Sequence, residues 1–277
     1  MGDLAGKVAF ISGVARGQGR AHALRLAADG ARIIGFDICA DIETVPFPLG
    51  GVDQLAETER LVRAAGGEIV ATVADVREAG QVEAALAAGL DRFGRVDIVV
   101  ANAGIAHPLV PSWEISDQAF RDVVEVNLVG VWRTAKVAVP TMIEAGRGGS
   151  IVMTGSGASV KGIPNLGGYV AAKHGLLGLV RTMGRELGQY QIRVNAVLPG
   201  NTMTPMFDNE AMRRLYLPDV VEPTQEQFVA RASRTSPMGV PYVQPDDISE
   251  AVAWLASDAT RFVTGSAISV DAGSTLM

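Results

Sequence analysis

Tyr169 and Lys173 stand four residues apart in YVAAKHG, within a stretch of helical apolar spacing, so both side chains lie on one helix face and reach into the same space. Ser156 ends the strand-like run GSIVMTGS and can point toward them. A phenol with an unperturbed pKa of about 10 is a poor base at neutral pH, but an adjacent ammonium favours the phenolate. Proximity to Lys173 therefore makes Tyr169 a usable acid–base. The spacing alone also fits an aromatic at a helix start and a solvated lysine one turn on. Other groups in the chain decide between the two.

The run KVAFIS leads directly into SGVARGQG, Ser12 to Gly19, with glycines at 13, 17 and 19, and a helical pattern follows. Glycine is needed where the backbone must turn tightly and approach a pyrophosphate, whose charge is then met by the amides and dipole of the next helix. Gln18 and Arg16 sit among these glycines, and Asp37 answers them at the end of the second strand. That setting points to a dinucleotide. A carboxylate at Asp37 can accept hydrogen bonds from an adenosine ribose, whereas a 2′-phosphate there meets like charge worth several kcal/mol at intermediate dielectric. NAD is favoured over NADP. Arg16 argues the other way, since a guanidinium can pair with that phosphate, unless it contacts the pyrophosphate or neighbouring acids. An oxidised nicotinamide adds a second positive charge that favours the Tyr169 phenolate.

These residues need a scaffold that gathers strand ends. KVAFIS, ARIIGF, EIVATVA, VDIVVAN, GSIVMTG, IRVNAVL and AISVD read as strands with helical patterns between most of them, which predicts an α/β fold with a parallel, doubly wound sheet and helices on both faces. No repeat, low-complexity tract or linker-like break divides residues 1–277, so a single domain is expected. Two stretches are irregular. DICADIETVPFPLGGVD, with an insertion at 38–52 that includes Ile38, separates the second strand from a helix expected from Gln54 to Gly66, where about 2–6 residues would serve. Residues 201–247, rich in proline, form a candidate lid above the strand ends, with Met206, Phe207, Met212, Leu215 and Tyr216 on a helix facing the substrate. Core packing also explains part of that set.

Composition excludes several classes of function. The chain has 48% hydrophobic residues and a formal net charge of −6, with no apolar run long enough for a bilayer and no basic stripe to track a phosphate backbone. Neither a membrane nor nucleic acid is an expected partner. MGDLAGKVAF carries no long apolar region before a cleavage site, and Gly6 stands where myristoylation wants Ser or Thr, so a cytoplasmic protein is expected. A single cysteine, Cys39, forms no internal disulfide, and the isolated histidines His22, His107 and His174 have no ligand spacing; no metal is expected.

With SGVARGQG, Asp75-Val76, ANAG at Ala101 to Gly104, Asn127, Ser156, YVAAK and LPGNTMTPM, the chain resembles the short-chain dehydrogenase/reductase family over essentially its whole length. The resemblance implies a Rossmann-type sheet of about seven strands. Asp75 and Val76 are then expected beside the adenine, Asn102, Ala103 and Gly104 at the central strand near the ribose, and Pro199, Thr202 and Thr204 around the nicotinamide. It also implies that Ser156 binds the substrate oxygen and Tyr169 moves its proton, that Lys173 holds the nicotinamide ribose and depresses the tyrosine pKa, and that Asn127 keeps a proton-relay water. Ser12 stands where Thr is usual, and Ala101 replaces a frequent Asn.

Within the family, GVARGQGRAHALRLA, DICADIETVPFPL, VANAGIA, YVAAKHG and TMTPMFDNEAM resemble the mycofactocin-associated, carveol-dehydrogenase-like subgroup, which carries the same insertion. That implies tightly held NAD, re-oxidised by mycofactocin, and a hydrophobic secondary alcohol or ketone such as a terpenoid as substrate. An insertion closing over the adenosine suits retention; a subunit contact is the alternative. An ordinary exchanging dehydrogenase, a 3-oxoacyl reductase and a non-catalytic NAD-binding protein remain as other readings. The run VTGSAISVDAGSTLM resembles the family's final edge strand, which implies a homotetramer.

Overall fold

Each apolar run becomes a strand in the computed structural model, which describes residues 4–277; Met1–Asp3, part of the stretch read for targeting, lie outside the described residues. The strands are β1 (Val8–Ser12), β2 (Arg32–Asp37), β3 (Ile69–Val73), β4 (Ile98–Ala101), β5 (Gly149–Thr154), β6 (Ile192–Pro199) and β7 (Ala267–Val270). They form one 7-stranded sheet in the order β3-β2-β1-β4-β5-β6-β7. All neighbours run parallel. Every residue of β1, β4 and β6 is buried, which is why these runs are apolar throughout and do not alternate.

Helices cover both faces. On one side lie α1 (Gly17–Ala28), α2 (Val52–Ala64) and α9 (Pro245–Ala256), whose Leu26, Val62 and Val252 share a core with Ile11 and Ile33. On the other lie α3 (Ala79–Phe93), α4 (Asp117–Val124), α5 (Val131–Ala145) and α6 (Gly167–Leu187), packed through Leu86, Val123, Ala135 and Leu176 on Phe10 and Val99. Between α4 and α5 the helix widens into a π turn, Glu125–Gly130, the kind of local expansion that re-aims one side chain. The chain reverses its direction of strand addition between β1 and β4, so a crevice opens at the carboxyl ends of these strands.

Two irregular regions differ from their expected outlines. α2 begins at Val52, two residues before Gln54, so the insertion proper is the loop 38–51. Residues 201–247 hold α7 (Glu210–Tyr216), capped by Asn209, and α8 (Gln225–Ser233), capped by Thr224, before α9 starts. Met206 and Phe207 precede α7 in a turn in which the Phe207 N–H donates to the Thr204 carbonyl at 2.9 Å; they are not on the helix, because the Asn209 cap sets its start. Among the described residues no helix is long and apolar enough to cross a membrane.

Tight packing of α3 on β2 gives a test of the core. A Cβ added at Gly89 would fall 2.3 Å from Ile34 Cδ1 and 2.5 Å from its Cγ2, on a β-branched side chain with little room to yield. Gly89→Ala is expected to destabilise the fold by about 1–3 kcal/mol despite alanine's better helix propensity. A urea midpoint equal to or above that of the parent protein contradicts this packing.

Candidate active site

The loop after β1 is built around contacts that exclude side chains. Gly13 has φ +76, and a Cβ on Gly19 would lie 1.9 Å from the Gly13 carbonyl oxygen. The first turn of α1 therefore rests directly on the loop, with its amides facing the crevice. Ser12 Oγ accepts from the Asn102 and Ala103 amides at 3.0 and 3.1 Å. The Asn102 carboxamide donates to the Ser12 carbonyl at 3.1 Å and accepts from Thr154 Oγ1 at 3.3 Å. The Thr154 carbonyl in turn accepts from Lys173 Nζ at 2.7 Å. One chain of hydrogen bonds thus runs from the end of β1 across β4 and β5 to α6.

Asp37 ends β2, with Oδ2 accepting from the Ala15 amide at 2.9 Å. Burial pushes its pKa up, opposed by the amides of Ala15, Cys39 and Ile38. The insertion comes down onto this carboxylate, since a Cβ on Gly50 would sit 2.9 Å from Ala15 Cβ and 3.7 Å from Asp37 Oδ1. Arg16 turns to the insertion and donates to the Pro48 carbonyl, a partner that charge counting in the sequence could not supply. Asp75 and Val76 line the same end of the cleft, the Asp75 carboxylate being held by Arg77 at 2.7 Å.

At the other end Tyr169 and Ser156 line the cleft together. Burial raises the Tyr169 pKa above the ordinary tyrosine value, and the nearby Ser156 hydroxyl offsets this only in part. Lys173, 2% exposed, has its Nζ 5.7 Å from the centre of the Tyr169 ring, and burial lowers its pKa to about 7. The expected depression of the tyrosine by a neighbouring ammonium is therefore not how the protein alone arranges these groups: desolvation drives both toward their neutral forms. Asn127 lies in the π turn, fully buried, with Oδ1 accepting from the Ile105 amide at 3.0 Å and Nδ2 donating to its carbonyl at 2.8 Å. Its side chain braces the segment after β4.

Arg16, Asp37, Asp75, Val76, Ser156, Tyr169 and Lys173 border one cleft of about 1070 Å³, whereas Asn127 lies behind its wall and does not line it. Gly13, Gly17, Gln18, Gly19, Ile38, Asn102, Ala103, Gly104, Pro199, Thr202 and Thr204 line it together with the residues above. The residues fit a dinucleotide: the glycine cradle leaves no space for a Cβ, a carboxylate closes β2, and buried Gln18 Oε1 has no partner in the protein. Met206, Met212, Leu215 and Tyr216 wall the opposite end. Phe207 reaches the cleft but is 5% exposed, its ring centre 5.1 Å from Phe228 and 5.9 Å from Tyr216, so it belongs chiefly to the small aromatic core under α7 and α8. His107, Leu109, Ile163 and Leu166, none of them among the expected site residues, line this end from the loops after β4 and β5. Their only signal was apolar residues in irregular chain directly after the ANAG and Ser156 motifs.

Residues 13–275 match the family model described as enoyl-(acyl carrier protein) reductase. Over 274 residues the chain is 51% identical to an uncharacterised oxidoreductase of Mycobacterium tuberculosis, covering 98% of this chain and 96% of the relative. It is 43% identical to (-)-trans-carveol dehydrogenase of Rhodococcus erythropolis over 276 residues, 100% of each. Carveol dehydrogenase from Mycobacterium avium, solved in complex with NAD, superposes with a TM-score of 0.98 at 46% identity, covering 100% of both chains.

The buried lysine leads to a prediction for the nucleotide-free protein. Its folded pKa of about 7 lies below the ordinary 10.5, so between these values the unfolded chain binds more protons and stability rises with pH; below about 7 both states are protonated and the penalty is constant. Lys173→Met removes the titrating group and should flatten that rise in urea denaturation from neutral to alkaline pH. A difference between parent and variant that does not change with pH contradicts the burial effect.

Proposed function

The chain belongs to the short-chain dehydrogenase/reductase family, NAD-dependent oxidoreductases acting on alcohols and ketones, and on that premise we propose that it interconverts a hydrophobic secondary alcohol and its ketone with tightly held NAD that mycofactocin re-oxidises. The substrate class is a terpenoid alcohol such as carveol. The observation that carries this reading is the insertion, whose Gly50 packs beside Asp37 and whose Ile42, Pro46 and Phe47 line the adenosine end of the cleft. The names of two relatives, both carveol dehydrogenases, support the substrate class, as do the apolar walls at Met206 and Met212. The enzyme acts in the cytoplasm as a homotetramer; the half-exposed edge strand β7 is the surface this assembly would use, and a monomer by light scattering at micromolar concentration overturns it.

The residues divide the chemistry among themselves. Gly13, Gly17, Gly19 and the α1 amides hold the pyrophosphate, Asp37 takes the adenosine ribose, and Lys173 takes the nicotinamide ribose. When bound, NAD supplies the hydride acceptor or donor and, oxidised, a positive charge beside the phenol. Ser156 donates a hydrogen bond to the substrate oxygen. Tyr169 accepts the alcohol proton during oxidation and returns it during reduction. Because burial raises the tyrosine pKa, the phenol form needed for reduction dominates at neutral pH, and the phenolate needed for oxidation grows as pH rises.

Two outcomes follow. Tyr169→Phe should lose turnover by about 10²–10⁴-fold while still binding NAD, and kcat/KM for alcohol oxidation in the parent protein should climb with alkaline pH. Retained turnover in the variant, or an oxidation rate that falls as pH rises, contradicts the assignment. Replacing residues 38–51 by a short turn should leave the fold intact and let NAD wash out on dialysis, whereas the parent protein keeps it. If the parent is purified empty and works with free NAD, it is an ordinary exchanging dehydrogenase.

A further inference from the structure

The insertion is tied down at two points of different origin. At its C-terminal side Arg16, part of the glycine cradle, donates to the Pro48 carbonyl. At its N-terminal side Thr44 Oγ1 donates to Asp122 Oδ2 at 2.7 Å, and Asp122 lies on α4, a helix of the opposite layer. On either side of the Thr44 tie Ile42 and Phe47 are buried, so the loop forms a strap across the mouth of the cleft. It is internally braced, the Val45 amide donating to the Ile42 carbonyl at 2.9 Å and the Leu49 amide to Asp41 Oδ1 at 2.6 Å. A braced strap opens by releasing an end.

Asp122 is suited to be that end. It is 7% exposed, and its second oxygen accepts from Gln118 Nε2 at 3.1 Å and faces Arg77 Nη1 at 3.4 Å. Arg77 also grips Asp75, which lines the cleft, so a single carboxylate joins the strap, the segment after β3 and α4. Neither Thr44 nor Asp122 lines the cleft, and neither is needed to contact a bound molecule. Lifting the strap leaves a buried carboxylate oxygen without its hydroxyl donor, a loss that corresponds to roughly 10- to 100-fold in an opening equilibrium.

We propose that the Thr44–Asp122 hydrogen bond is the latch of the strap and sets the rate at which the dinucleotide leaves, with Asp122 as a positioning residue. This rests on the reading that NAD lies beneath the insertion. The test uses the full-length protein loaded with NADH, mixed with excess NAD, following loss of bound-NADH fluorescence. Thr44→Val, which keeps shape and loses the hydroxyl, should speed release by about 10- to 100-fold. Thr44→Ser, which keeps the hydroxyl, should stay within about 3-fold of the parent, with similar melting temperatures for all three. Thr44→Val releasing at the parent rate, or Thr44→Ser releasing as fast as Thr44→Val, overturns the latch. A parent protein that itself releases NADH quickly contradicts long retention, while the ratio of Thr44→Val to parent still decides the latch.

Discussion

The close approach of Gly19 to the Gly13 carbonyl is the constraint on which the site depends. With no side chain between them, the first turn of α1 lies on the loop after β1, and the crevice at the strand ends is lined by backbone amides. The same loop gives Ser12 its place against Asn102, and Asn102 passes the position on to Thr154 and so to Lys173. The glycine loop and Lys173 are thus joined by one hydrogen-bonded path through the central strands. Moving α1 outward to admit a side chain at Gly19 would disturb both.

Burial is the second determinant, and it acts against charge. The cleft sits between two helical layers and under two covering segments, the insertion at one end and α7 with α8 at the other. Asp37, Tyr169 and Lys173 all have pKa values displaced toward their neutral forms, with desolvation the leading cause in each. A charged ligand entering such a site shifts the ionisation of these groups further.

Much of this was legible in the residues. The sheet was, because strands buried on both faces must be apolar throughout, and so was the gathering of the glycines, Asp37, Ser156, Tyr169 and Lys173 around one cleft, because each lies near the close of a strand or the opening of a helix at the same end of the sheet. What was not legible depends on contacts between distant segments. Nothing local marks Pro48 as the partner of Arg16, or Asp122 as the partner of Thr44, since each pair meets only after the sheet and helices have assembled. The start of α7 was misplaced because the Asn209 cap outweighed an apolar pattern that ran on from Met206. Phe207 read as a wall of the substrate site for a related reason, since the aromatic core it joins draws Phe228 and Tyr242 from later in the chain. The effect of burial on this pair escaped as well, because four-residue spacing shows that Lys173 is near but not that desolvation lowers its pKa.

The claim that joins these features is that the chain works as a sealed dehydrogenase whose NAD is part of the protein. Mixing the purified protein with carveol, with no nicotinamide added, and following the ~340 nm band of reduced nicotinamide tests it directly. The account predicts a single rise of about one reduced cofactor per active site, which then stops until an electron acceptor other than free NAD is supplied. No rise without added NAD, followed by continuous turnover once NAD is present, would contradict it.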